Sequence, residues 1–480
     1  MKGMILLEKV FTYFEDISKV PRCSGDEKAI SDYLVSFAKS HNLEVIQDDV
    51  YNVIIKKPAS PGYEDAPGVI LQGHMDMVCV KKSNKVHDFT KDPVVLKYID
   101  DMIYADGTSL GADNGVAVAI AMAVLTNENV KHPALEALFT VDEESGMTGA
   151  KNINPEHISG KILINLDSEG EGKLLVSCAG GLGTTINIDA GWIDASSDLD
   201  SYSVSVSGLK GGHSGTEIDE ERGNAIKLLG RILYDIYKET PFYIANIKGG
   251  TKANVIPSYA EAEILIPKDR VLDAKEKIKK WNKILKNEFK VSDTDVEVFL
   301  EKSAENYYKM SSSTEKVLDI LTAVPNGVQA MSTSIDSLVE TSLNLGVLTT
   351  DDKGICFEFS IRSSVGTRKE YVKEQLYTIA KLADVEFKII DEYPSWEYNP
   401  ESKVREICQR VYKEKYGKEP EIFAIHAGVE CGLFEEKLPG LDMISMGPNA
   451  YDAHTTNEHV SISSMKRLYE YLVDILKELK

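Results

Sequence analysis

The stretch VAVAIAMAVL, residues 116–125, is apolar at every position. Folded as a helix it offers no polar face, so protein must enclose it on all sides. It is too short to span a bilayer, which takes about 20 residues. It therefore predicts a core helix laid against a sheet that is itself covered. The neighbouring segments supply that sheet. NVIIKK, GVILQGHMDMVCV, ALEALFTV and KILINLD read as strands, and DEKAISDYLVSFAKSH as a helix between them and the start of the chain. Apolar strands alternating with helices predict an α/β domain with a mostly parallel sheet covered on both faces.

The middle of the chain changes style. SYSVSVSG alternates as a half-buried strand, and helix, strand, strand, helix and strand follow it up to VEVFLEK. That order is the split β-α-β-β-α-β unit. It recurs from STEKVLDIL to VEFKII, which predicts a doubled ferredoxin-like unit. The tail then returns to the first style. The expected architecture is a catalytic domain built from residues 1–185 and 393–480, interrupted by an inserted α+β lid or dimerisation domain, 186–392.

Composition removes some functions. The formal charge is −22, from 76 acids against 54 bases. Nucleic acid and anionic membranes need a basic face, so neither is an expected partner. Six cysteines without a C-x-x-C read as reduced intracellular thiols, with Cys79 as a core filler. Acids at Glu8, Glu15 and Asp16 interrupt any signal-peptide run, so the expected location is cytoplasmic.

Chemistry-bearing residues collect at the ends of the apolar strands. QGHMDMV places His74 and Asp76 two apart, on one face of a strand. LGADNG delivers Asp113 to the mouth of the buried helix, as an N-cap or as a ligand. VDEESG sets Asp142, Glu143 and Glu144 directly after a strand, and INLDSE ends another strand on Asp167. MGPNAYDAHTTNEHV adds His454 and His459, either of which fits. Each motif alone reads equally well as a turn or a surface charge. Together, carboxylates and imidazoles without cysteine suit zinc, manganese or cobalt in a hydrolytic site. No P-loop, Rossmann fingerprint or nucleophile elbow competes. His41, His87, His132 and His157 lie in polar segments and are expected in solvent.

GHMDMV, LGADNGVA, DEESGMTGA, NLDSE and HTTNE, in this order, resemble the di-metal aminopeptidase, carboxypeptidase and aminoacylase family, in its dipeptidase branch. The resemblance runs from VPRCSGDE to HTTNEHV. It implies two divalent ions, zinc first and manganese or cobalt as alternatives. His74 and Asp167 would bind one and Glu144 and His454 the other, with Asp113 bridging. Asp76 would orient His74, and Glu143 would be the general base. GLKGGHSG, GGTKANVIP, FSIRSS and HAGVECG would supply His213, Asn254, Arg362 and Gly428 to the substrate. The family further implies a homodimer, a cis bond after Asp113 and hydrolysis of short unblocked dipeptides, Xaa-His such as β-Ala-His included. A related exo-carboxypeptidase or N-acyl-amino-acid deacylase is the alternative, and a non-catalytic metal-binding protein a remoter one. Asp142 is left as a solvated turn residue.

Overall fold

The computed structural model describes residues 2–480, with side chains from residue 9 onward. The chain divides into two compact units. The first comprises Met1–Ser177, Tyr398–Ala424 and Val429–Lys480, and the second Cys178–Glu397 and Ile425–Gly428.

The first unit is built on an eight-stranded sheet. At its centre Leu135–Thr140, Val69–His74, Ile162–Asn165 and Asp442–Ser445 lie side by side and parallel. Antiparallel strands extend it, Val53–Lys57 with Glu44–Gln47 at one end and Lys173–Cys178 towards the other. The central strands are buried at every residue except Asp442, as expected of strands covered on both faces. The helix Ala112–Leu125 is buried along its whole length except at Asp113. Its β-branched residues Val116, Val118, Ile120 and Val124 forgo up to about 0.7 kcal/mol each in helix propensity. Burying each side chain returns about 1.5–3 kcal/mol, so packing rather than propensity makes this helix.

A small antiparallel sheet stands beside the large one. It joins Ala450–Tyr451, His459–Ser461, Met102–Ala105 and Leu96–Ile99. Its hairpin between Tyr451 and His459 carries His454.

The second unit holds a nine-stranded antiparallel sheet, made of two ferredoxin-like halves. In one, strands Glu297–Lys302, Leu199–Ser207, Ala260–Pro267 and Tyr243–Gly249 neighbour one another in that order, with helices Ala225–Glu239 and Val271–Glu288 between them in sequence. In the other the order is Glu386–Tyr393, Gly180–Asp189, Gly354–Ser363 and Val339–Thr350, with helices Thr314–Ala323 and Gly366–Leu382. Gly180–Asp189 is thus the first strand of the second half, with the whole first half inserted after it. The sequence boundary at 185 cuts through this strand.

Two readings of individual residues change. Cys23 and Cys79 are not thiols here: they form a disulfide across a Cα separation of 5.6 Å. The segments bearing them run in parallel through a bridge between Cys23 and Met77, which sequence spacing does not reveal. His87 and His132 are buried rather than solvated, and His132 Nδ1 lies 2.6 Å from the Pro133 carbonyl oxygen. Among the described residues, no helix is long and apolar enough to cross a membrane.

Candidate metal centre

The parallel strands of the first unit all end at one edge, and the acids and histidines sit there, where α/β sheets place ligand sites. His74 is the last residue of its strand, and Asp113 is the second residue of the buried helix. Glu143 and Glu144 open the short helix Glu143–Gly146, three residues beyond the strand Leu135–Thr140. Asp167 follows Ile162–Asn165 by two residues.

Asp113 is at the middle of the cluster. Its Oδ1 lies 3.0 Å from His74 Nε2, which is also 3.4 Å from Asp167 Oδ1. Its Oδ2 lies 3.2 Å from His454 Nε2, which is 2.8 Å from Glu144 Oε2. Two groups of three ligand-type atoms result, His74–Asp113–Asp167 and Asp113–Glu144–His454, and they share one carboxylate. A third group, His74–Glu143–Glu144, has similar spacing. His459 is not in the cluster: its ring stacks on Tyr104 and Tyr451.

Asp76 serves two elements. Its Oδ1 is 3.2 Å from His74 Nδ1, an ion-pair contact whose angle falls short of a hydrogen bond. The same carboxylate accepts the backbone N–H groups of Glu143 and Glu144, at 3.1 and 3.3 Å, and the Ser24 hydroxyl at 2.8 Å. It thereby fixes both glutamates by their backbone. Asp142 is not simply solvated. It adopts φ 54°, accepts a hydrogen bond from the Thr148 hydroxyl, and donates its N–H to Glu27 Oε1 at 3.1 Å.

Asp113 does not cap its own helix. The Glu458 carboxylate does so from the hairpin, accepting N–H groups from Leu110, Gly111, Ala112 and Asp113 at 2.7–3.2 Å. Gly111 enters the helix at φ 69°, a left-handed conformation that glycine adopts without steric cost. The peptide bond between Asp113 and Asn114 is cis. Glu458 and Arg22 lie within motifs quoted above, HTTNEHV and VPRCSGDE. Sequence gave them no role, because their partners are backbone groups far along the chain.

The electrostatics describe a site short of positive charge. Burial pushes the Glu143 carboxyl up to about 9 and that of Asp167 up to about 7. Burial likewise takes Glu430 up to about 8, although Gln72 and Thr140 donate to it at 2.6 and 2.8 Å. For Asp113 burial acts upward, but hydrogen bonds from His454 and His74 outweigh it and hold the carboxylate well below its usual range. His454 is raised to about 10 by its hydrogen bonds with Asp113 and Glu144. Burial alone would lower His74, yet the carboxylates of Asp167, Asp113 and Asp76 raise it. Glu144 Oε1 is buried and finds no hydrogen-bond partner among the described residues. Divalent cations would supply the charge that the carboxylates lack and free both imidazoles to ligate. The donor set, oxygen and nitrogen without sulfur, fits zinc, manganese or cobalt.

His213, Asn254, Arg362 and Gly428 all belong to the second unit. His213 sits on a two-residue strand paired with Val255–Ile256, and the Asn254 carbonyl accepts the Ser214 N–H at 2.9 Å. Arg362 is 8% exposed; its Nη1 donates to the Tyr393 hydroxyl at 2.9 Å, while its buried Nε has no partner among the described residues. Gly428 must be glycine because a Cβ there would lie 2.5 Å from the Tyr393 ring. Tyr393 thus joins two of the four. His426 is a further buried imidazole here, 2.7 Å from the Ser342 hydroxyl and held down to about 3 by burial and by the Arg362 charge.

Comparison with known proteins identifies the family. The model of peptidase family M20/M25/M40 matches residues 70–478. The cytosol non-specific dipeptidase of Escherichia coli is 38% identical over 474 residues, covering 98% of each chain. The crystal structure of aminoacylhistidine dipeptidase from Vibrio alginolyticus superposes with a TM-score of 0.94 at 36% identity, over 98% of this chain and 96% of that one. Aminopeptidase PepT from Bacillus cereus, at 18% identity and a TM-score of 0.55 over 98% of each chain, shares the fold. These matches lead to one conclusion: the chain belongs to peptidase family M20/M25/M40.

Proposed function

We propose that this chain is a metal-dependent dipeptidase acting on short unblocked dipeptides, Xaa-His substrates such as β-Ala-His among them. The observation that carries the reading is the pair of ligand groups sharing Asp113, with Glu143 buried beside them. The names of its relatives in Escherichia coli and Vibrio alginolyticus support the substrate class. We further propose zinc as the metal, a homodimer as the working form and a cytoplasmic location.

In this reading His74, Asp113 and Asp167 would hold one cation, and Asp113, Glu144 and His454 the other. The cations would supply Lewis-acid activation. Glu143 is the general base that takes a proton from the attacking water and returns it to the leaving amine. Asp76 keeps Glu143 and Glu144 in place through their N–H groups.

The resemblance further assigns substrate contacts to His213, from this chain or from a partner subunit, and to Asn254, Arg362 and Gly428. His213 Nδ1 accepts N–H groups from Gly215 and Thr216 at 3.3 and 3.2 Å, which leaves the proton on Nε2. Burial lowers its pKa, so the ring is a neutral donor to the carbonyl oxygen. Arg362 pairs with the substrate's free carboxylate through its unused donors, with Tyr393 fixing the guanidinium, and this favours peptides of two residues. Asn254 and Gly428 complete the contacts.

The test is a substrate panel on metal-loaded protein: β-Ala-His, Leu-His, other dipeptides, tripeptides and N-acetyl amino acids. Dipeptides should be cleaved with kcat/KM at least about tenfold above the rest, a difference of about 1.4 kcal/mol in transition-state binding. Preference for N-acetyl compounds would instead make the protein a deacylase, and preference for longer peptides an exo-carboxypeptidase.

A further inference from the structure

Four consecutive backbone N–H groups, from Leu110 to Asp113, converge on the two oxygens of Glu458. Glu458 is 3% exposed and its two oxygens divide the donors evenly: Leu110 and Gly111 bind Oε2, Ala112 and Asp113 bind Oε1. Such a run of N–H groups at a helix start is an anion-binding concavity, and here the chain fills it with its own carboxylate. On the other side of the same turn lies Arg22, 2% exposed. Its Nη2 donates to the Gly111 carbonyl at 2.5 Å, and its Nη1 to the carbonyls of Met75 and Asp76 at 3.2 and 3.1 Å. The two buried charges clamp one turn of backbone between them, which offsets part of the cost of burying each. Arg22 also ties that turn to Met75 and Asp76, directly after His74.

We infer that Glu458 and Arg22 are positioning residues for the shared carboxylate of Asp113, an inference that rests on the metal centre proposed above. Glu458 holds the N–H of Asp113 together with those of the three residues before it, and Arg22 holds the Gly111 carbonyl. The backbone that presents Asp113 is thereby fixed from both sides, with its carboxylate facing His74 and His454. Glu458 stands four residues after His454 on the same hairpin, so one loop both supplies a ligand and fixes the bridging one. With Glu458 removed, four buried N–H groups lose their acceptor, the turn shifts to find others, and both cation sites weaken together.

The experiment uses full-length protein stripped with chelator and titrated with Co2+, followed by visible absorption, beside thermal melts of the stripped protein. For Glu458→Gln, whose amide nitrogen would face two of the donors, both Co2+ affinities should fall about 10–100-fold, as is usual when a residue supporting a ligand is lost. Arg22→Lys keeps the charge but not the two-pronged grip on three carbonyls, and should weaken both sites in the same direction. It decides the question should Glu458→Gln fail to fold. Wild-type Co2+ affinity in a folded variant, even one with a lowered melting temperature, assigns these residues to stability alone and overturns the inference. Weakening of one site only overturns it as well, since Asp113 serves both. Failure of the wild-type protein to take up Co2+ would overturn the metal centre itself.

Discussion

Glu143→Gln is expected to lower kcat for dipeptide hydrolysis about 10²–10⁴-fold while the protein still takes up its metal, because proton transfer by a positioned side chain contributes about that much. The substitution keeps size and burial and removes only the group that accepts the proton. Glu143 is absent from both groups that contain Asp113, so their donors remain complete. Its backbone N–H still reaches Asp76, so the turn that presents Glu144 stays in place. The measurement is kcat together with metal content by elemental analysis. Loss of metal along with activity would move Glu143 into the ligand set, as the third group of side chains, His74–Glu143–Glu144, allows.

The second large effect is expected at Asp113. Asp113→Ala should abolish detectable turnover and weaken uptake of both cations by more than about 100-fold, since loss of a residue that merely supports a ligand already costs about 10–100-fold. The carboxylate gives Oδ1 to His74 and Oδ2 to His454, so its removal leaves each group one donor short. Asp113 is the only non-buried residue of its helix, so removing its carboxylate opens no cavity in the core. The variant should therefore fold. Metal titration and a far-UV spectrum check both halves of the expectation. Loss of one cation with retention of the other would show that the carboxylate is not shared.

Much of this arrangement is readable in the sequence because the relevant residues are local. Acids and histidines directly after apolar strands can only lie at the carboxyl ends of those strands, and a parallel core brings those ends together. His74, Glu144 and Asp167 follow from that argument, and Asp113 from its place at the mouth of the apolar helix. The choice between His454 and His459 does not, because both lie in one hairpin and only the stacking of His459 on two tyrosines separates them. The Glu458 contact with Leu110 spans 348 residues, and its partners are N–H groups that every residue carries. No residue pattern marks such a contact. Tyr393 and His426 are hidden for the same reason, being defined by what they touch.

The fold shows a similar division. The buried helix and the apolar strands are visible as composition. Gly180–Asp189 is not, since its opening GGLG looks like a loop until it pairs with Gly354–Ser363 and Glu386–Tyr393. Those glycines are small because neighbours press close: a Cβ on Gly181 would lie 2.2 Å from the Tyr393 ring. The Cys23–Cys79 pair, 56 residues apart, likewise depends on two segments meeting in space.

The central claim is that one cluster of side chains holds two cations and that hydrolysis depends on both. Chelator-stripped protein given Zn2+ in small increments, with β-Ala-His hydrolysis and bound metal measured at each step, tests it most directly. The account predicts no hydrolysis without metal and activity that reaches its plateau at two ions per chain. Full activity in the stripped protein, or a plateau with no stoichiometric uptake, would contradict it.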